Sequence, residues 1–146
     1  MTTTYISCKK VRVNGRLPTR ATDGSAGWDL YSAENVYLGP GERKLVSCGI
    51  ALEIPDGYSG NIRPRSGLAG KYGITVINSP GTVDSDYRGT IFVPLINHNR
   101  ESGYKVKTGD RIAQIIFERV LNISLVEVTE LNPSIRDNKG FGSTGV

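Results

Sequence analysis

Short runs of β-forming residues, each cut off by glycine, proline or aspartate, fill most of this 146-residue chain, and that rhythm restricts it to a protein of sheets. The runs fall at residues 35–38, 44–46, 49–54, 58–62, 74–77, 89–97, 104–107, 111–120 and 125–128. Between them stand Gly39-Pro40-Gly41, Pro55-Asp56-Gly57, Ser79-Pro80-Gly81 and Thr108-Gly109-Asp110, residue types that reverse a chain at low cost. Many short strands at this spacing predict an all-β sandwich or barrel. Tyr104-Lys105-Val106-Lys107 alternates, which predicts one buried and one wet face. Pro94 cannot donate to a ladder, so it predicts an edge or a bulge within 89–97. Only residues 66–72 have the composition of a short helix.

A chain of this length fits one domain and buries roughly two-thirds of its unfolded surface without covalent staples. With 38% apolar and 22% charged residues it has an ordinary globular composition. Cys8 and Cys48 form no CxxC pair and His98 is the sole histidine, which excludes a Cys/His metal cluster and reads the thiols as reduced and inert. Residues 1–10 carry no apolar signal segment, and no run approaches the ~18 apolar residues of a membrane span. The expectation is no membrane partner and a place in the cytoplasm or nucleus, whether the source is cellular or viral. A net charge of +4 suits an anionic ligand. The basic residues are scattered, and their densest stretch, Lys9, Lys10, Arg12 and Arg16, lacks the interleaved aromatics of a single-strand groove. It reads as a solvated strand face, with no nucleic acid expected.

The final residues, 136–146 (RDNKGFGSTGV), combine Arg136, Phe141, three glycines and the hydroxyls of Ser143 and Thr144. Glycine lets backbone N–H groups approach an anion, the hydroxyls donate, arginine offers a bidentate fork and phenylalanine a flat face. A nucleotide would use all four; a frayed glycine-rich end is the bland alternative. Four further clusters join polar residues to a turn or strand end. Asp29 sits among apolar neighbours in Ala26-Gly27-Trp28-Asp29-Leu30, either as a hydrogen-bonded anchor of a turn or beside a hydrated cation. Arg65 and Ser66 precede the short helix, as an anion site or with Ser66 as a plain N-cap. Residues 81–89 crowd Asp84, Asp86, Tyr87 and Arg88 into a hairpin-like segment, either a wet turn or the seat of a general base. Gln114 stands inside an apolar strand and needs polar partners.

In this order the clusters read AGWDLYS at 26–32, RPRSGLAG at 63–70, GTVDSDYRG at 81–89, GDRIAQ at 109–114 and RDNKGFGSTG at 136–145. On these motifs the chain resembles the trimeric dUTP pyrophosphatases (dUTPases) from about Pro18 to Gly145. Trp28, Arg63, Thr82 and the stretch Asn78-Ser79-Pro80-Gly81 depart from the residues usual in that family.

The resemblance implies a jelly-roll-like β-sandwich of the dUTPase β-clip type with one short helix. It implies a homotrimer with sites between subunits, and one domain over 1–146 ending in a flexible arm at about 132–146. It implies hydrolysis of dUTP to dUMP and pyrophosphate, lowering dUTP and supplying dUMP for thymidylate synthesis. Arg65, Ser66, Gly67 and Gln114 would hold the triphosphate, with Arg136, Gly142, Ser143 and Thr144 on its far end and Phe141 stacked on the uracil. The segment from Asn78 through Gly81, Thr82 and Val83 would read the uracil, and Tyr87 would pack on the deoxyribose and exclude a 2′-hydroxyl. Asp84 would deprotonate the attacking water, and Asp29 would lie near a Mg²⁺ through water. Two alternatives remain open at this point, dCTP deamination on the same fold and a non-enzymatic basic binding module.

Overall fold

A computed structural model describes residues 3–143 and 145. Two four-stranded antiparallel sheets face each other. The first has the order β1 (Ser7–Lys10), β4 (Arg43–Glu53), β8 (Thr90–Asn97), β6 (Ile74–Val76). The second has the order β2 (Trp28–Tyr31), β10 (Arg111–Arg119), β5 (Tyr58–Arg63), β7 (Gly81–Val83). A ribbon of β3 (Val36–Leu38) and β9 (Tyr104–Val106) closes one end, and α1 (Ser66–Tyr72) is the sole helix among the described residues. The all-β, jelly-roll-like sandwich with one short helix is therefore the observed architecture. Alternation explains its core: Val46, Ile50 and Leu52 of β4 and Val93 and Leu95 of β8 point inward against Ile62, Ile112, Ile115 and Leu30 of the other sheet. Tyr104 and Val106 turn inward while Lys105 stays wet, as the alternation there predicts.

Several expectations need correction. Pro94 lies on an internal strand, not on an edge or at a bulge, since β8 pairs with β4 on one side and β6 on the other. The N and C=O of one residue point to the same side of a strand, and Pro94 O accepts Ile77 N at 2.9 Å on the β6 side. The missing donor thus falls where β6 has already ended, and no ladder bond is lost in mid-sheet. The runs at 44–46 and 49–54 are one strand, β4, which continues through an irregular register between Ser47 and Ala51. Here Gly49, with φ of 64°, accepts Val11 N at 2.9 Å, and Gly15 passes so close that any side chain on it would strike the Gly49 carbonyl.

The expected strand at 125–128 does not form. Beyond Val120, whose N–H bonds Gly57 O at 2.9 Å, the described chain is an exposed coil that includes Leu121, Ile123, Leu125 and Val126. A strand needs a neighbour, and no strand among the described residues pairs with it. The exposed segment therefore begins about a dozen residues before the arm expected from 132.

Among the described residues every buried side-chain polar atom has a hydrogen-bond partner. Asn97 donates to Leu38 O at 3.2 Å and Ser102 O at 2.9 Å and accepts Asn99 N at 2.9 Å, which ties β8 to the ribbon. Both cysteines are free thiols. Burial, then the nearby Glu34 carboxylate, pushes the Cys48 thiol up to about 12. The folded state favours the neutral thiol, so this stabilisation is complete below about pH 9 and is lost as pH rises from 9 toward 12. Cys48→Ala should accordingly lose less stability than the parent between those pH values in urea melts, each compared with its own stability at pH 8.

Candidate functional site

Asp29 of β2 pairs across from Gln114 of β10, and Gln114 from Arg63 of β5, so one row of the sheet carries all three side chains on a single face. The chain leaves β5 through Pro64, and Arg65 takes an extended backbone (φ −96°, ψ 130°) ahead of α1. That conformation returns its guanidinium over the sheet, where Nε donates to Asp29 Oδ1 at 3.0 Å and Nη1 to Arg111 O at 3.4 Å. An irregularity in β10 between Arg111 and Ala113 turns Arg111 to the same carboxylate, with Nη1 3.6 Å from Asp29 Oδ2.

The Asp29 side chain is only 15% exposed, so burying its charge requires these partners. Two guanidiniums on one carboxylate leave an excess of one positive charge. They face a cleft of about 360 Å³ that is also lined by Ser66, Gly67 and Gln114. Gln114 Nε2 donates to Pro64 O at 3.0 Å, and a side chain on Gly27 would strike Gln114 Oε1. Ser66 is not the N-cap: Arg65 holds that position without a side-chain cap bond, and Ser66 opens the helix exposed. Arg111 is the residue that sequence reasoning passed over. It stood inside 109–114, but only the bulge brings its guanidinium into the cleft.

A second cavity, of about 210 Å³, opens where β7 meets β8 of the other sheet. Asn78, Gly81, Thr82, Val83, Asp84 and Tyr87 all line it. Because β7 is an edge strand, one row of its backbone N–H and C=O groups has no partner strand among the described residues, as a reader of a ring's polar edge requires. Asn78 packs its amide on Gly81, and the Ser79–Pro80 peptide is cis. Asp84 is exposed at the end of β7, where its carbonyl accepts Tyr87 N at 3.2 Å. Tyr87 lies over Gly89, where a side chain would collide with its ring, and its hydroxyl donates to Thr90 O at 3.0 Å.

The two cavities are well separated within one chain. Asp84 lies three strands across from Asp29 and about four register positions down the sheet, roughly 20 Å away by strand spacing and rise. The last motif joins neither. Arg136, Phe141, Gly142 and Ser143 lie on the exposed coil, with Arg136 Nε donating to Lys139 O at 2.9 Å and Phe141 wholly in solvent; Thr144 lies outside the described residues.

Among the described residues no three Asp, Glu, His or Cys side chains cluster as a cage for a metal ion. The basic cleft with its single carboxylate suits a hard cation that keeps its waters and arrives on a polyanion, which is how Mg²⁺ is commonly bound. No helix among the described residues is long and apolar enough to cross a membrane.

Comparison with known proteins gives one family. A family model described as dUTPase matches residues 13–145. A deoxyuridine 5'-triphosphate nucleotidohydrolase of Thermobifida fusca is 54% identical over 129 residues, covering 88% of this chain and 72% of that protein. One of the same name from Nautilia profundicola is 50% identical over 140 residues, covering 96% and 98%. Among solved structures, a point mutant of the Staphylococcus bacteriophage 80alpha dUTPase with dUpNHpp superposes with a TM-score of 0.91 at 28% identity, covering 99% of this chain and 100% of that one. A point mutant of the dUTPase from phage phi11 of S. aureus, described as revealing the coordination of a structural Mg(II) ion, shares the fold at a TM-score of 0.82 and 24% identity, covering 87% and 98%.

Proposed function

The chain belongs to the dUTPase family, and on that premise we propose how its own residues carry the family reaction. That reaction is the hydrolysis of dUTP to dUMP and pyrophosphate. The observation that carries our reading is the pairing of a basic cleft with a separate ring-reading edge that bears an exposed carboxylate. The uracil lies against Asn78, Gly81, Thr82 and Val83, and Tyr87 covers the deoxyribose where a 2′-hydroxyl would not fit. Arg65, Arg111, Ser66, Gly67 and Gln114 hold the triphosphate. Arg136, Gly142, Ser143 and Thr144 close on its far end, while Phe141 stacks on the ring.

Asp84 accepts a proton from a water that attacks the α-phosphorus. The new P–O bond forms in line as the bond to the β-phosphate oxygen breaks, and the electron pair leaves with pyrophosphate. Asp29 would help to hold, through water, a Mg²⁺ that arrives with the triphosphate, and the ion would supply neutralisation of the leaving group's charge. The guanidiniums of Arg65 and Arg111 meanwhile orient the chain and spread its charge.

One triphosphate cannot use Asp84 and Arg65 of the same chain, because catalytic contacts are made within hydrogen-bond reach and these groups are roughly 20 Å apart. This supports a site completed by another copy, in a homotrimer of single domains whose long exposed arms cross between subunits. The outer face of the first sheet supports it too. Leu45, Phe92 and Ile77 stand exposed there beside Pro94, and Phe92 and Pro94 also line the ring cavity, so a copy docked on this face would adjoin the site.

The test is release of pyrophosphate from dUTP, dTTP, dCTP and UTP in the presence of magnesium. dUTP alone should be consumed at an appreciable rate. Ammonia from dCTP would instead support deamination.

A further inference from the structure

The turn that carries Asp84 has little of its own to hold it. It follows an edge strand, Asp84, Asp86 and Tyr87 are all exposed, and one backbone bond closes it. Arg88 lies immediately beyond. Its Nη1 donates to Ser85 O at 2.6 Å and to Tyr87 O at 3.2 Å, so one charged nitrogen gathers the carbonyls on either side of Asp86. Its Nη2 lies 3.8 Å from Glu53 Oε1 at the end of β4, in the other sheet.

The exposed ion pair contributes little by itself, but the charge-assisted bonds to the carbonyls are of the stronger kind. Arg88 does not line the ring cavity. It borders a separate hollow with Tyr5, Ser7, Glu53 and Asp56, so it meets the turn without meeting a nucleotide bound against β7.

We propose that Arg88 is a positioning residue: by holding the Ser85 and Tyr87 carbonyls it keeps the Asp84 carboxylate within reach of the attacking water. The proposal rests on the reading of Asp84 as the base. A base displaced by about 1 Å loses on the order of 10² in rate, whereas ring recognition at residues 78–83 lies upstream of this turn and the Tyr87 ring is held apart from Arg88 by its hydroxyl bond to Thr90 O and its seat on Gly89.

Arg88→Met keeps the aliphatic stem and removes the donors, and Arg88→Lys restores one charged nitrogen. In steady-state dUTP hydrolysis Arg88→Met should lower kcat at least ~10-fold with KM changed less than ~3-fold, and Arg88→Lys should recover at least ~3-fold of the loss. The thermal midpoint should stay within about 3 °C, as expected for an exposed site. A smaller loss of kcat, an equal rise in KM, a larger drop in the midpoint, or a lysine variant no better than methionine overturns the role of Arg88. Asp84→Asn measured alongside separates the two claims. If it turns over normally, the reading of the base fails; if it is inactive while Arg88→Met is not, only the positioning role fails.

Discussion

Asp84→Asn should turn over dUTP about 10²–10⁴ times more slowly than the parent while binding it as well or better. The substitution keeps the shape of the side chain and removes its ability to take a proton. On the proposed reading the ring is recognised through the backbone of β7 and the flank of Tyr87, which line the cavity beside Asp84 and which the amide does not alter. Asp84 is exposed and forms no ion pair with the described residues, so its replacement leaves no buried partner uncompensated and the fold should be unaffected. Losing a negative charge beside a polyphosphate should, if it changes affinity at all, increase it. Single-turnover rates together with calorimetric titration of an α,β-imido analogue separate the two effects. A variant whose kcat falls less than tenfold would remove Asp84 from the chemistry, and one that no longer binds the analogue would make it a binding residue.

Deleting residues 136–146 should cost roughly 10²–10³ in kcat/KM and nothing in stability. Stacking on a base is worth ~1–3 kcal/mol and a charge-assisted hydrogen bond ~1.5–3 kcal/mol, so Phe141 and Arg136 together contribute about 2.5–6 kcal/mol to the closed complex, of which the entropy of ordering the arm leaves about 3–4 kcal/mol net. Within one chain the described residues of this segment give up no packing in exchange. Phe141 is fully exposed, and the side-chain bond of Arg136 is local, to Lys139 O. The thermal midpoint of the shortened protein should therefore match that of the parent within the error of a melt. Unchanged kcat/KM would mean that the arm takes no part in the reaction, and a large fall in the midpoint would mean that its role is structural.

How far the structure could be read in advance depended on what each residue needs in order to act. The runs at 58–62 and 111–120 became β5 and β10 because their apolar residues fill the core whatever their neighbours are. Ser7–Lys10 and Gly81–Val83 are strands only because β4 and β5 offer them a ladder, and their own composition is too polar or too small to announce it. The converse holds at 125–128, where the pattern suits a strand and no described segment offers it a ladder.

The site divides in the same way. Arg65, Ser66, Gly67 and Gln114 converge as the motifs suggest, but the capture of Asp29 by two guanidiniums depends on the extended backbone before α1 and on the bulge in β10. Neither can be read from residue types. The distance between the two cavities is a consequence of strand order and register, and so became visible only with the fold.

That distance carries the central claim, that each nucleotide is served by Asp84 of one chain and Arg65 of another. Asp84→Asn and Arg65→Met, each inactive alone, can be co-refolded in equal amounts and assayed for pyrophosphate release. If the sites are shared between subunits, random assortment leaves both wild-type residues at about one-quarter of them, and the mixture should regain about that fraction of parental activity. A mixture no more active than the two variants measured separately would show that Asp84 and Arg65 act from the same chain, and the account would be wrong.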